Sequence, residues 1–93
     1  MNLTSIGIIG AGQMGSGIAY VCAASGYKVK LYDIDSKLIN IALEKINKNL
    51  SYQLKIKNIN QTEKEAAFSL VEPINNLRKL SSVDLIIECV IEN

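Results

Sequence analysis

Six residues near the start constrain this chain more than any other feature: Gly10-Ala11-Gly12-Gln13-Met14-Gly15. Just before them, Thr4 to Ile9 reads Thr-Ser-Ile-Gly-Ile-Ile, an uncharged β-branched run suited to a strand buried on both faces. Just after, Gly12 to Ser25 is rich in Ala and aliphatic residues, with Ile18, Val21 and Cys22 at helical spacing and Gly26 as a stop. Lys28-Val29-Lys30-Leu31-Tyr32 then alternates as a strand does and ends at Asp33. Strand, turn, helix and strand in so short a span give a parallel pair joined by a right-handed crossover.

The remainder extends that unit. Ser36 can cap a second helix, which carries Leu38, Ile39, Ala42, Ile46, Leu50 and Leu54 on one face and Lys37, Glu44, Lys45 and Lys48 on the other. Asn58 to Gln61 breaks the pattern. Thr62 with Glu65 three residues on reads as a capping box for a short helix through about Leu70. Pro73 ends it, Glu72 to Ile74 reads as a brief edge strand, and Leu77 to Leu80 as one helical turn. Val83 to Val90 is the second strongly apolar strand. The expected class is α/β: a Rossmann-type doubly wound parallel sheet, truncated after its fourth strand, with a helical excursion between strands two and three. Residues 1–93 form one such domain.

The glycine spacing has a chemical rationale. Gly10 permits a tight turn, Gly12 lacks the Cβ that would hold a pyrophosphate off the backbone, and Gly15 lets the helix lie close to the sheet. The pyrophosphate then meets free N–H groups at the positive end of a helix dipole. Asp33 follows Gly15 by 18 residues and can accept both hydroxyls of an adenosine ribose. A carboxylate there repels a 2′-phosphate and no Arg follows it, which favours NAD over NADP. FAD uses the same fingerprint, so these residues alone leave it open beside NAD.

Composition removes other classes. With 48% hydrophobic residues and a net charge of +1, the chain is not disordered. It lacks a cationic cluster for nucleic acid or membrane surfaces, and no apolar run approaches the roughly 18–20 residues of a bilayer span. Cys22 and Cys89 are too far apart and too few for a disulfide framework, and no signal peptide is legible, so a reducing cytoplasmic setting is expected. There is no His in the 93 residues, hence no imidazole base or ligand.

Three separated blocks carry a resemblance. Ile6-Gly-Ile-Ile-Gly-Ala-Gly-Gln-Met-Gly-Ser-Gly-Ile-Ala19, Lys45-Ile-Asn-Lys-Asn-Leu-Ser51 and Asp84-Leu-Ile-Ile-Glu-Cys-Val-Ile-Glu-Asn93 together resemble the N-terminal domain of 3-hydroxyacyl-CoA dehydrogenases, the bacterial 3-hydroxybutyryl-CoA branch in particular. The resemblance implies NAD as cofactor, held by Gly10, Ala11, Gly12, Gln13, Met14, Gly15 and Asp33. It implies that Val90, Ile91 and Glu92 line the nicotinamide side. Asn49 and Lys55 fall where the family's helical excursion touches the CoA part of an acyl-CoA substrate.

In that family an imidazole takes the proton from the 3-hydroxyl while hydride leaves C3 for the nicotinamide, and a carboxylate orients the imidazole. On the family pattern these groups, the rest of the cofactor domain and a C-terminal domain lie beyond Asn93. The resemblance thus implies an oxidoreductase of fatty-acid or butanoate metabolism, a chain inactive alone, and an exposed Leu85-Ile86-Ile87 edge that invites a homo-oligomer. The competing reading is an autonomous, non-catalytic dinucleotide-binding or interaction module on the same fold.

Overall fold

The computed structural model describes residues 3–89. Strands Ser5–Ile9 (β1), Lys28–Tyr32 (β2), Val71–Ile74 (β3) and Leu85–Glu88 (β4) make one all-parallel sheet in the order β3-β2-β1-β4. Helices Gln13–Ala24 (α1), Ser36–Lys55 (α2) and Gln61–Ser69 (α3), with a 3-10 turn at Leu77–Leu80, connect them. The expected α/β doubly wound sheet is what forms, with α2 and α3 as the excursion between the second and third strands. Strand order reverses at β1, so the crevice at the carboxyl ends of β1 and β4 is the switch point where such sheets bind ligands.

Register explains the core. Ile6 lies beside Val29 and Leu85, and Ile8 beside Leu31 and Ile87, so alternate residues of adjacent strands share a face. On that face Ile6, Ile8, Val29 and Leu31 are buried together with Ala19 and Ala23 of α1 and with Ile39, Ala42, Ile46 and Leu50 of α2. The buried residues of α1 are all small (Gly15, Ser16, Ala19, Ala23), which sets the helix close against the strands. On the opposite face the 3-10 turn closes over β1. A Cβ on Gly7 would meet the Leu80 Cδ2 at 2.6 Å and the Val83 Cγ2 at 3.2 Å.

Several boundaries differ from the sequence reading. Asp35, not Ser36, caps α2: its side chain accepts the Lys37 amide at 3.0 Å. The reason lies one turn back, where Asp33 Oδ1 accepts the Asp35 amide at 2.8 Å and holds Asp35 extended. The capping box of α3 is Asn60 with Glu63, not Thr62 with Glu65. Asn60 Oδ1 accepts the Glu63 amide at 2.8 Å while Glu63 Oε1 accepts the Asn60 amide at 2.9 Å, a reciprocal pair that starts the helix two residues earlier. Strand β3 begins at Val71, paired with Val29, and is indeed an edge strand, as Pro73 requires.

Strand β4 is shorter than the apolar run. Val83 and Asp84 stay outside it because the Asp84 carboxylate turns back to the start of β1, and Val90 lies outside the described residues. Leu85 and Ile86 are 43% and 49% exposed, the apolar margin expected there, while Ile87 is half-buried against the core.

Candidate functional site

At the carboxyl end of β1 the backbone turns at Gly10, whose φ of 108° lies in the left-handed region. Its amide donates to the Tyr32 carbonyl at 2.8 Å, and a Cβ there would strike the Cys89 carbonyl. The next amide, of Ala11, donates to Asp33 Oδ2 at 2.8 Å. With Oδ1 taking the Asp35 amide, Asp33 ties the glycine turn, the end of β2 and the start of α2 into one unit. Helix α1 leaves this turn steeply: a Cβ on Gly15 would land on the Gly10 carbonyl. Gly12 is the opposite case. Nothing lies within 4 Å of where its Cβ would be.

That open space faces an unpaired helix terminus. No side chain caps α1, and no acidic residue sits in its first turn. Ser16 is the first residue whose amide is paired, to the Gly12 carbonyl at 2.9 Å. The amides of Gln13, Met14 and Gly15 therefore have no acceptor among the described residues, at the positive end of the helix dipole. A pyrophosphate fits this cradle by charge, by donor count and by the room at Gly12. The structure thus brings together Gly10, Ala11, Gly12, Gln13, Met14, Gly15 and Asp33. Val90, Ile91 and Glu92, read from sequence as the nicotinamide side, lie outside the described residues.

A cleft of about 280 Å³ adjoins the glycine turn. Gln13, Ser16 and Gly17 of α1 face Lys45, Lys48 and Asn49 of α2 across it. Asn49 is thus joined to the glycine turn. Lys55 is exposed in the last turn of α2 and does not line this cleft. Lys45 and Lys48, which the sequence pattern assigns to a solvated face, line this cleft with Asn49 at i, i+3, i+4 spacing. Another cleft, about 480 Å³, opens at the amino ends of β1 and β2, where Lys30 Nζ donates to the Lys79 carbonyl at 2.9 Å. It lies at the other end of the strands from the glycine turn.

The remaining reactive groups are quiet. Cys22 and Cys89 are free thiols, both pushed up from the usual thiol range by burial. Asp84 is held below the usual carboxylate range by the amides of Thr4 and Ser5, with a hydroxyl bond from Thr4 adding to them. Among the described residues, no group of three His, Cys, Asp or Glu is placed to hold a metal, and no helix is long and apolar enough to cross a membrane.

Comparison with known proteins is consistent with this geometry. Residues 5–93 match the model of the family described as 3-hydroxyacyl-CoA dehydrogenase, NAD binding domain. A 3-hydroxybutyryl-CoA dehydrogenase of Bradyrhizobium diazoefficiens is 37% identical over 90 residues, covering 97% of this chain and 31% of that protein. The crystal structure of 3-hydroxybutyryl-CoA dehydrogenase from Escherichia coli K12 superposes with a TM-score of 0.93 at 30% identity, over 100% of this chain and 20% of that one. FadB2 of M. tuberculosis superposes equally well, at 0.93 with 33% identity, over 100% of this chain and 33% of its own. The chain therefore spans a third or less of the length of these relatives. Its cofactor is NAD, and the chain belongs to the family of 3-hydroxyacyl-CoA dehydrogenase NAD-binding domains.

Proposed function

We propose that the chain supplies the adenosine and pyrophosphate half of the NAD site in an enzyme moving hydride between NAD and C3 of a 3-hydroxyacyl-CoA. The names of its relatives favour 3-hydroxybutyryl-CoA and acetoacetyl-CoA as the substrate pair. One observation carries the reading: the uncapped amides at the start of α1 stand beside open space at Gly12, one hydrogen bond from Asp33. Gly10 to Gly15 cradle the pyrophosphate. An ionised carboxylate offers about four lone-pair sites, of which the Ala11 and Asp35 amides use two, leaving Asp33 two for the ribose hydroxyls. Val90, Ile91 and Glu92 continue toward the nicotinamide by resemblance to the family. When bound, NAD supplies the hydride acceptor.

The cleft of Lys45, Lys48 and Asn49 suits the phosphates of CoA, with Lys55 farther along the same helix. No His is present, so these 93 residues supply no imidazole to take the substrate proton, and the chain alone is inactive. The setting is cytoplasmic, in fatty-acid or butanoate metabolism, and the apolar β4 margin favours a homo-oligomer.

Calorimetric titration with ADP-ribose, beside an assay of NADH oxidation by acetoacetyl-CoA, tests both halves. Binding without turnover is expected. Absence of ADP-ribose binding overturns the cofactor role, and turnover by the 93-residue chain overturns its inactivity.

A further inference from the structure

The cleft of about 480 Å³ at the amino ends of β1 and β2 takes no part in the dinucleotide site, and its size suits a small molecule. Strand register decides what stands in it. Lys28 and Lys30 lie two apart on β2 and so project from the same face of the sheet, with Glu72 of β3 directly beside Lys30. These three are the charged residues lining the cleft. Although neighbours, Lys30 and Glu72 share no hydrogen bond. Lys30 Nζ turns instead to the crossover between β3 and β4, donating to the Lys79 carbonyl at 2.9 Å and to Ser82 Oγ at 3.4 Å. The Glu72 carboxylate is thereby left in the cleft without the lysine that register sets beside it. Most of the hydroxyls are committed: those of Thr4 and Ser5 to Asp84, and that of Ser69 to the Ala66 carbonyl. Ser82 accepts from Lys30 and keeps its own proton to give.

We propose that this cleft binds a small zwitterion of the amino-acid type, its carboxylate on Lys28 and its ammonium on Glu72. A purely anionic ligand would meet the Glu72 carboxylate, and a purely cationic one would meet two lysines. A molecule with both charges a bond or two apart answers each. Lys28 and Glu72 are diagonal neighbours on adjacent strands, about 7–8 Å apart in the backbone, a gap their long side chains and a small ligand can bridge. Lys30 has two of its three protons in use and one left for the same carboxylate, and the Ser82 proton is a further donor. Leu70 and Val83 add an apolar stretch, so an aliphatic amino acid fits the lining better than glycine does. The site lies at the opposite end of the strands from the glycine turn, so its occupant and the dinucleotide do not compete.

The test follows backbone amide shifts of the isotope-labelled 93-residue chain during titration with three probes. L-leucine carries both charges, N-acetyl-L-leucine lacks the ammonium, and L-leucinamide lacks the carboxylate. L-leucine should shift the amides of Lys28, Lys30, Glu72 and Ser82 and saturate with a Kd of about 1–5 mM. Each masked probe should bind at least about threefold more weakly, the scale of one exposed ion pair. Lys28→Gln should weaken L-leucine by a similar factor. Glu72→Gln should weaken L-leucine and strengthen N-acetyl-L-leucine, a reversal that damage to the fold would not produce. ADP-ribose should leave L-leucine in place. No saturable shift at these residues, equal binding of the three probes, or displacement of L-leucine by ADP-ribose overturns the proposal. The masked probes need only the unsubstituted chain, so the outcome does not depend on how the variants fold.

Discussion

The Asp33 carboxylate accepts the amide of Ala11 at 2.8 Å, so the residue proposed to hold the ribose also holds the turn proposed to receive the pyrophosphate. Specificity and scaffold are joined in one side chain. Asp33→Ala should lose ADP-ribose binding and also lower unfolding free energy by about 1–3 kcal/mol, the range for a charged acceptor removed from a part-buried amide, here that of Ala11. Asp33→Asn should fall between, since its amide nitrogen faces one of the two N–H donors. Urea unfolding of the three proteins checks this. An unchanged midpoint for Asp33→Ala would show that the tie contributes nothing to the fold.

Gly12 and Gly15 should separate binding from folding. Gly12 has ordinary negative φ and open space at its Cβ, so Gly12→Ala should keep its melting temperature within a degree or so while obstructing the pyrophosphate. Gly15→Ala drives a methyl onto the Gly10 carbonyl and should cost about 1–3 kcal/mol or more, as overpacked sites do. Thermal melts paired with ADP-ribose titrations would show it. Equal destabilisation by both substitutions would contradict this division.

Asp84 gives the fold an acid sensitivity of known sign. Its folded pKa is depressed, chiefly by the Thr4 amide and then the Ser5 amide. Its contribution is therefore complete above the ordinary carboxylate value near about 4 and is lost as pH falls through the lower folded value. Asp84→Asn should be less stable than the unsubstituted chain at neutral pH, with the gap closing at acid pH. Unfolding midpoints from pH 7 downward read the gap directly; a constant gap would remove Asp84 as its source.

The cleft between α1 and α2 makes a claim on Lys48. Lys48→Ala should weaken binding of CoA by about two- to fivefold at low salt, the range for one exposed ion pair, with the difference shrinking as salt is added. Fluorescence-detected titration at two ionic strengths is sufficient. A salt-independent loss would point to packing rather than charge.

The parts of this molecule legible in its sequence are those decided locally. Gly10 and Gly15 announce their turn because no other residue type meets its steric demands, and Ile39, Ala42, Ile46 and Leu50 announce a buried helical stripe by spacing. The caps are ambiguous where two suitable residues stand within two positions of each other. Asp35 prevails over Ser36 only because Asp33 reaches it, and Asn60 over Thr62 only because Glu63 reaches back. The cleft at Lys45 was hidden for a related reason: whether an amphipathic helix turns its lysines to water or toward Gln13 and Ser16 depends on how two helices cross.

The two margins of the sheet are unlike. On β3, Pro73 removes an amide beside the charge of Glu72, while β4, with Glu88 as its one charge, exposes Leu85 and Ile86 and keeps every amide. The sheet thus has unequal ends: a strand laid beside β4 would meet an unbroken row of amides, and one laid beside β3 a broken row. A strand at the β4 margin would leave the crevice between β1 and β4 flanked on both sides, so what guards the edge of the sheet and what walls the crevice are the same few residues.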